Sequence, residues 1–211
     1  MKLHSYFRSS ASFRVRVALY LKGLEHDAAY YHLRRVEHRA PDYLALNPQG
    51  LVPSLEDEGA ILTQSLAILE YLEERYPEPP LLPKDAAGRA RVRAMADVVA
   101  CDIHPLNNLR VLKYLRETLA LPEDQVQAWY AHWVSEGFVG FEALLRRGPT
   151  GRFCHGDSVT IADVCLVPQV VNARNFKVDL TPYPTLVRIA DTCLSMPEFI
   201  RGLPANQPDA D

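Results

Sequence analysis

The sequence predicts a small α/β domain followed by an all-helical one, and three observations predict it. Residues 1–76 alternate short strand-like and helical patterns. Four prolines then fall within Pro77-Glu78-Pro79-Pro80-Leu81-Leu82-Pro83, where neither kind of element can continue. Beyond them the apolar spacing is almost entirely helical.

Lys2 to Phe7 is short, aromatic and alternating, and reads as a strand. Phe13 to Lys22 is an apolar-rich helical run closed by Gly23, and His26 to His32 offers a second strand. Leu51-Val52-Pro53-Ser54-Leu55 and Ala60-Ile61-Leu62 flank Asp57-Glu58-Gly59, a hairpin turn, with Pro53 at a strand start, where proline is tolerated. Gln64 to Tyr76 places Ile68, Leu69, Leu72 and Tyr76 at helical spacing. The predicted order is β-α-β-(α)-β-β-α over residues 1–80, and the proline stretch separates it from a helical domain over 87–211. There Asp85 is an N-cap, and Val92, Met95, Ala96, Val99 and Ile103 form one apolar face that Pro105 should kink. Glu123 to Arg147 is a second long helix. Thr160-Ile161-Ala162-Asp163 has the capping-box pattern, with aspartate in the place of glutamate. Pro182 and Pro184 precede a short helix around Thr185 to Leu194. This fits an α/β thioredoxin-like N-terminal domain plus an all-α C-terminal domain.

Bulk properties narrow the function. The 211 residues are 48% apolar and 23% charged, enough to bury a core without disulfides or metals. A net charge of −3 with no basic block gives no footing for nucleic acid or an anionic membrane surface. Met1-Lys2-Leu3-His4-Ser5-Tyr6 lacks the apolar run of a signal peptide, no stretch is long enough to span a bilayer, and the expected location is cytoplasmic. Cys101, Cys154, Cys165 and Cys193 form no CxxC pair and no zinc spacing, so they read as reduced, buried thiols, with no metal. The N-terminal domain has no cysteine, which argues against a thiol–disulfide oxidoreductase.

Three short motifs carry chemistry. Arg8-Ser9-Ser10-Ala11-Ser12 lies between the first strand and the first helix, where backbone N–H groups and the helix dipole favour an anion such as a thiolate. One serine suffices for a helix cap; three beside an arginine point further. Val52-Pro53, in Asn47-Pro48-Gln49-Gly50-Leu51-Val52-Pro53, is a place for a cis bond that turns backbone groups toward a peptide-like ligand. Gln64-Ser65 opens a helix whose free N–H groups and hydroxyl suit a carboxylate. In this order the three match a glutathione-binding domain: sulfur at the first, cysteinyl backbone at the second, γ-glutamyl carboxylate at the third.

These residues resemble the glutathione transferase superfamily and, within it, the zeta class of maleylacetoacetate isomerases and bacterial maleylpyruvate isomerases. The resemblance runs nearly end to end. It covers Tyr6 to Arg16, Ala45 to Pro53, Gln64 to Glu74, Cys101-Asp102-Ile103-His104-Pro105-Leu106-Asn107-Asn108, Leu166 to Val170, Phe176 to Pro184, and Asn206-Gln207-Pro208-Asp209. It implies the glutathione transferase fold, a homodimer, and glutathione as cofactor. Ser9, supported by Ser10, would steady the thiolate, and Val52 would pair through its backbone. Gln64 and Ser65 would hold the γ-glutamyl end, with His38 and Gln49 near the glycine end. Asp102, His104 and Asn108 would line the site from the helical domain, and Arg8, Arg110 and Arg174 would clamp substrate carboxylates, as guanidinium geometry suits. The implied reaction is thiolate addition to a cis double bond conjugated to a ketone, rotation, and expulsion of the thiol. The expected substrate is a maleyl keto acid, maleylacetoacetate of tyrosine and phenylalanine catabolism first, with maleylpyruvate of gentisate catabolism or general conjugation of electrophiles as alternatives. A non-catalytic interaction module is a further class, against which the serine and Gln64-Ser65 motifs argue.

Two positions depart from the class. Ala11 stands where relatives often carry cysteine, which argues against chemistry on an enzyme thiol. Asn175 stands where relatives commonly place an arginine, leaving Arg174 to substitute. Trp129 and Trp133 read as core or dimer interface, and Arg14 and Arg16 as structural or surface residues.

Overall fold

The alternating start of the chain folds as β1, Lys2–Ser5, buried at Leu3, His4 and Ser5 because it is central and paired on both sides. It runs parallel to β2, Asp27–Tyr30, with Leu3 opposite Ala28, and antiparallel to β3, Ser54–Asp57, with Leu3 opposite Leu55. β4, Ala60–Thr63, completes the sheet in the order β2-β1-β3-β4. The computed structural model describes residues 1–211, which form two compact units, Met1–Leu81 with Leu194–Asp211, and Leu82–Cys193.

In the first unit the parallel pair requires a crossover, supplied by α1, Ser10–Leu21. The helix begins three residues before the predicted Phe13, because the Ser9 hydroxyl caps it by accepting from the Ser12 N–H at 3.1 Å. Glu58 and Gly59 both have positive φ, 47° and 83°, as the tight turn between β3 and β4 requires. A short helix, α2, Pro41–Leu46, and α3, Ser65–Arg75, flank the hairpin in sequence. Arg14 and Arg16 of α1, open between structural and surface roles in the sequence, are buried to 1% and 2% exposure. Arg16 makes five hydrogen bonds, to Ser5 Oγ and to the carbonyls of Tyr6, Phe7 and, twice, Gly202. Burial pushes its guanidinium down to about 10.

Leu194–Asp211 was expected in the helical domain 87–211; it packs with the first unit instead. The reason is α9, Pro197–Gly202. Its Gly202 sits so close to α1 that a Cβ there would lie 2.7 Å from both the Phe13 ring and Val17 Cγ2. The Arg16 bonds to the Gly202 carbonyl and the Arg201 guanidinium over the Tyr20 ring, 4.1 Å from its centroid, tie it further. At the other end of α1, Lys22 Nζ donates to Glu73 and to the Tyr76 and Pro79 carbonyls, anchoring the proline stretch.

In the second unit, α4, Ala86–Asp97, is capped by Asp85, which accepts from the Gly88 N–H at 2.7 Å, and Val92, Met95 and Ala96 are buried as the spacing predicts. The expected kink at Pro105 is a break. Val98–Ile103 widens into a π-helical turn, with His104 N–H bonded to the Val99 carbonyl at 2.9 Å, and the chain turns through Pro105 before α5, Leu109–Glu117. Proline has no N–H for the Cys101 carbonyl, so the α-helix ends. Gly137 accommodates the wide turn: a Cβ there would meet Ile103 Cγ1 at 2.2 Å. Gly137 lies in α6, Glu123–Arg147, whose limits are the predicted ones, with acids in its first turn and arginines in its last. Trp129 Nε1 bonds the Leu106 carbonyl, tying α6 to the turn after the π segment.

α7, Ile161–Asn175, has the full capping box of Thr160 and Asp163. α8, Pro184–Leu194, receives its N-terminal cap from another helix: Glu142 of α6 accepts from the Thr185 and Leu186 N–H groups at 3.2 and 2.9 Å. Three cysteines are buried as expected; Cys101, within the π segment, is exposed instead. No helix is long and apolar enough to cross a membrane.

Candidate functional site

In the first unit the ends of β1 and β4 and the start of β3 bring the three motifs to one end of the sheet. Tyr6, Phe7, Tyr43 and Val52 form a buried cluster that Tyr31, Leu33 and Leu46 extend. Ser9 stands at the head of α1. One lone pair of its Oγ takes the Ser12 N–H, and its own proton has no acceptor in the chain, so this hydroxyl is a donor set at a helix N-terminus. Ser10 is the first residue of the helix and is buried. Arg8 is exposed, its guanidinium 5.9 Å from the Phe7 ring centroid, and it has no ion-pair partner. Burial raises the Tyr6 hydroxyl above its usual value, against the pull of Arg8 and Arg34, which keeps it a neutral phenol.

The second motif is built by its neighbours. The Tyr43 hydroxyl and Asn47 Nδ2 both donate to the Leu51 carbonyl, at 2.6 and 2.8 Å, and so shape the loop before β3. The Val52–Pro53 bond is cis, and the Val52 N–H and C=O make no hydrogen bond within the chain. Gly50, at φ 56°, lies so close to Arg39 that a Cβ would fall 2.9 Å from its guanidinium nitrogen.

At the third motif, Gln64 holds φ 67° and ψ 117°, a strained position for a non-glycine residue, and gives α3 no side-chain cap. The first N–H groups of α3 therefore have no partner within the chain. The Gln64 side chain donates to Gln49 Oε1 at 2.8 Å, so two expected ligand contacts touch each other. Beneath them Arg14 donates to Ser65 Oγ at 3.2 Å, which places a buried cation behind the helix terminus and leaves the Ser65 proton to point elsewhere. His38 has a buried Nδ1 without a partner, and burial, then Arg39, lowers its pKa, so the ring is neutral.

Sequence reasoning missed Arg14. The signal was present, since Arg14 and Arg16 sit in the most apolar run of α1, where only a satisfied cation survives. The uncapped α3 terminus with its buried cation, the open Val52 backbone and the orphaned His38 nitrogen together fit an extended ligand with peptide groups and carboxylates, its thiol near Ser9. Glutathione is such a ligand.

In the second unit His104 and Asn108 come together across the turn, Nε2 to Nδ2 at 3.4 Å, and Asn108 caps α5 by accepting from the Arg110 N–H. Asp102 and Arg110 are exposed. A cation in the first turn of a helix opposes the dipole, so Arg110 does not stand there for the sake of the helix. Arg174 is occupied: it pairs with Asp191 at 2.7 Å.

Residues 3–80 match the N-terminal domain of glutathione S-transferases and residues 127–195 the C-terminal domain. The chain belongs to the glutathione transferase family. A maleylacetoacetate isomerase from Pseudomonas aeruginosa is 51% identical, over 99% of this chain and 98% of the relative. The holo structure of a maleylpyruvate isomerase, a bacterial glutathione transferase of the zeta class, is 50% identical with a TM-score of 0.97 over the whole of both chains. A maleylacetoacetate isomerase from Methylobacterium extorquens AM1, solved with malonate and glutathione, is 42% identical with a TM-score of 0.96, again over both whole chains. Among glutathione transferases this chain therefore stands with the zeta class in sequence as well as in fold.

Proposed function

We propose that the protein is a glutathione-dependent cis–trans isomerase of a maleyl keto acid, with maleylacetoacetate as substrate. The observation that carries the reading is the Ser9 hydroxyl, tied by the Ser12 N–H and left with one proton to donate. Bound glutathione supplies the sulfur nucleophile. Ser9 holds that sulfur as the thiolate by a charge-assisted hydrogen bond, helped by the N-terminus of α1, with Ser10 as close support. Val52 pairs with the cysteinyl backbone through its free N–H and C=O. Gln64, Ser65 and the uncapped N–H groups of α3 hold the γ-glutamyl carboxylate, with Arg14 supplying positive charge from behind. His38 and Gln49 meet the glycine end. From the helical unit, Asp102, His104 and Asn108 are proposed glutathione contacts, and Arg110 a carboxylate contact. Arg8 is proposed to hold a substrate carboxylate and to stabilise charge developing on the ketone oxygen. Arg174 joins only by releasing Asp191. The relative from Methylobacterium, solved with malonate and glutathione bound, supports a dicarboxylate substrate. A cytoplasmic homodimer completes the reading, supported by family membership.

Maleylpyruvate is the second reading, favoured by the holo maleylpyruvate isomerase at 50% identity. The test is the rate of maleylacetone and maleylpyruvate isomerisation by the purified protein with and without glutathione. Turnover only with glutathione is expected, and the preferred substrate chooses between the two. No turnover of either, with glutathione still bound, overturns the isomerase reading and leaves a conjugating transferase. Gln64→Ala is expected to weaken glutathione binding about tenfold, the value of one good hydrogen bond to a charged group. Calorimetric titration measures it, and unchanged affinity would remove Gln64 from the site.

A further inference from the structure

Asn206-Gln207-Pro208-Asp209 lies far from the serine loop in sequence and against it in space. The turn after α9 is closed from inside. Gln207 Nε2 donates to the carbonyls of Arg201 and Leu203 at 2.7 and 3.0 Å, and Asn206 Nδ2 to that of Ile200 at 2.7 Å. The Ala210 N–H bonds the Gln207 carbonyl at 3.1 Å. The closed turn aims Asp209 at the loop between β1 and α1, where its Oδ2 accepts the Phe7 N–H at 2.9 Å.

The Phe7 residue is therefore gripped on both sides. Its N–H is held by Asp209, and its C=O by Arg16 Nη2 at 3.1 Å, the same nitrogen that donates to the Gly202 carbonyl at 3.0 Å. Arg8 and Ser9 follow directly, and the Ser9 N–H returns to the Tyr6 carbonyl at 3.0 Å. The second Asp209 oxygen is buried with no hydrogen-bond partner. A buried acceptor left without a donor is a poor way to gain stability. The one hydrogen bond this carboxylate makes is to the Phe7 amide.

We propose that Asp209 is a positioning residue for thiol activation: by holding the Phe7 amide it fixes where the Ser9 hydroxyl points. This rests on the reading that Ser9 donates to the glutathione sulfur. A displaced donor loses strength steeply, since a misplacement of about 1 Å costs up to about a hundredfold in rate. The role is geometric, so an acceptor of the same shape without charge replaces it.

The experiment is a pH titration of the thiolate absorbance of bound glutathione in the full-length wild type, Ser9→Ala, Asp209→Ala and Asp209→Asn, with kcat and thermal midpoint for each. Asp209→Ala is expected to lower kcat and the thiolate fraction at neutral pH roughly tenfold, with glutathione affinity changed less than about twofold. Asp209→Asn, whose Oδ1 still accepts the Phe7 N–H, is expected to restore both. A normal thiol titration in Asp209→Ala beside a defective one in Ser9→Ala overturns the positioning role alone. A thermal midpoint and glutathione affinity that fall together in Asp209→Ala, with the titration unmoved, overturn it equally, as a structural tie. A normal titration in Ser9→Ala overturns the serine reading, and the positioning role with it.

Discussion

Ser9→Ala is expected to lower glutathione-dependent turnover by about 10²–10³-fold, the range for removing one preorganised donor from a developing or stabilised anion. The argument is one of geometry. Ser9 Oγ already accepts the Ser12 N–H at 3.1 Å, and its remaining proton has no acceptor within the chain and is left to donate. A thiolate there receives a charge-assisted bond and sits at the positive end of the helix, and both terms lower its pKa. Removing the hydroxyl leaves only the backbone contribution. The same substitution also removes a helix cap, worth about 0.5–2 kcal/mol of stability, which could be mistaken for the functional effect. Ser9→Gly separates the two, because glycine caps nearly as well as serine but has nothing to donate. Turnover as low in Ser9→Gly as in Ser9→Ala, with a thermal midpoint close to wild type, would assign the loss to the hydroxyl. Near-normal turnover in either variant, together with a large loss in Ser10→Ala, would move the role to Ser10.

The elements that the sequence displayed clearly are those stabilised by local chemistry. α6 is bounded by Pro122, by acids in its first turn and by arginines in its last, so both its ends were readable. The Thr160–Asp163 box and the Asp85 cap were equally local. Where the prediction failed, the deciding contact was distant. The helical domain was drawn through residue 211 because the pattern beyond the proline stretch reads as helical almost throughout; its last segment joins the first unit because Gly202 and Arg16 meet across nearly the whole chain. Pro105 announced an interruption, but the π turn depends on the space left by Gly137, which no pattern near Val98–Ile103 encodes. The site divides in the same way. Ser9, Val52, Gln64 and Ser65, all in the proposed site, stood out in the sequence because each occupies a turn or helix start with its own signature. Arg14 was passed over because its partner, Ser65, lies on another helix, and a charged residue in an apolar run reads as surface until that partner is seen. The pairing of Gln49 with Gln64 was invisible for the same reason, although both residues had been singled out.

Asp163→Ala is expected to destabilise the helical unit by about 3–5 kcal/mol, lowering the thermal midpoint by about 10 °C in a chain of this size. The carboxylate is buried and accepts three hydrogen bonds, from the Cys154 N–H, the Thr160 N–H and the Thr160 hydroxyl, each at 2.8 Å. Two of these donors are backbone groups of the loop that leads into α7, and each buried donor left without an acceptor costs about 1–3 kcal/mol. The pH dependence gives the finer test. Burial raises the Asp163 carboxyl above its usual value, more than its hydrogen bonds lower it; the Cys154 thiol against it is itself pushed well up by burial. The unfolded chain therefore loses this proton near the ordinary aspartate value, while the folded chain keeps it to a higher pH. Across that window the folded state binds more protons, and the contribution of Asp163 to stability falls as pH rises. Asp163→Asn has no such titration, though its amide presents a donor to one of the N–H groups. Its stability deficit against wild type, followed by denaturant unfolding from pH 4 upward, should therefore narrow with increasing pH. A deficit that widens over the same range would show that the three donors outweigh burial and hold Asp163 ionised in the folded protein.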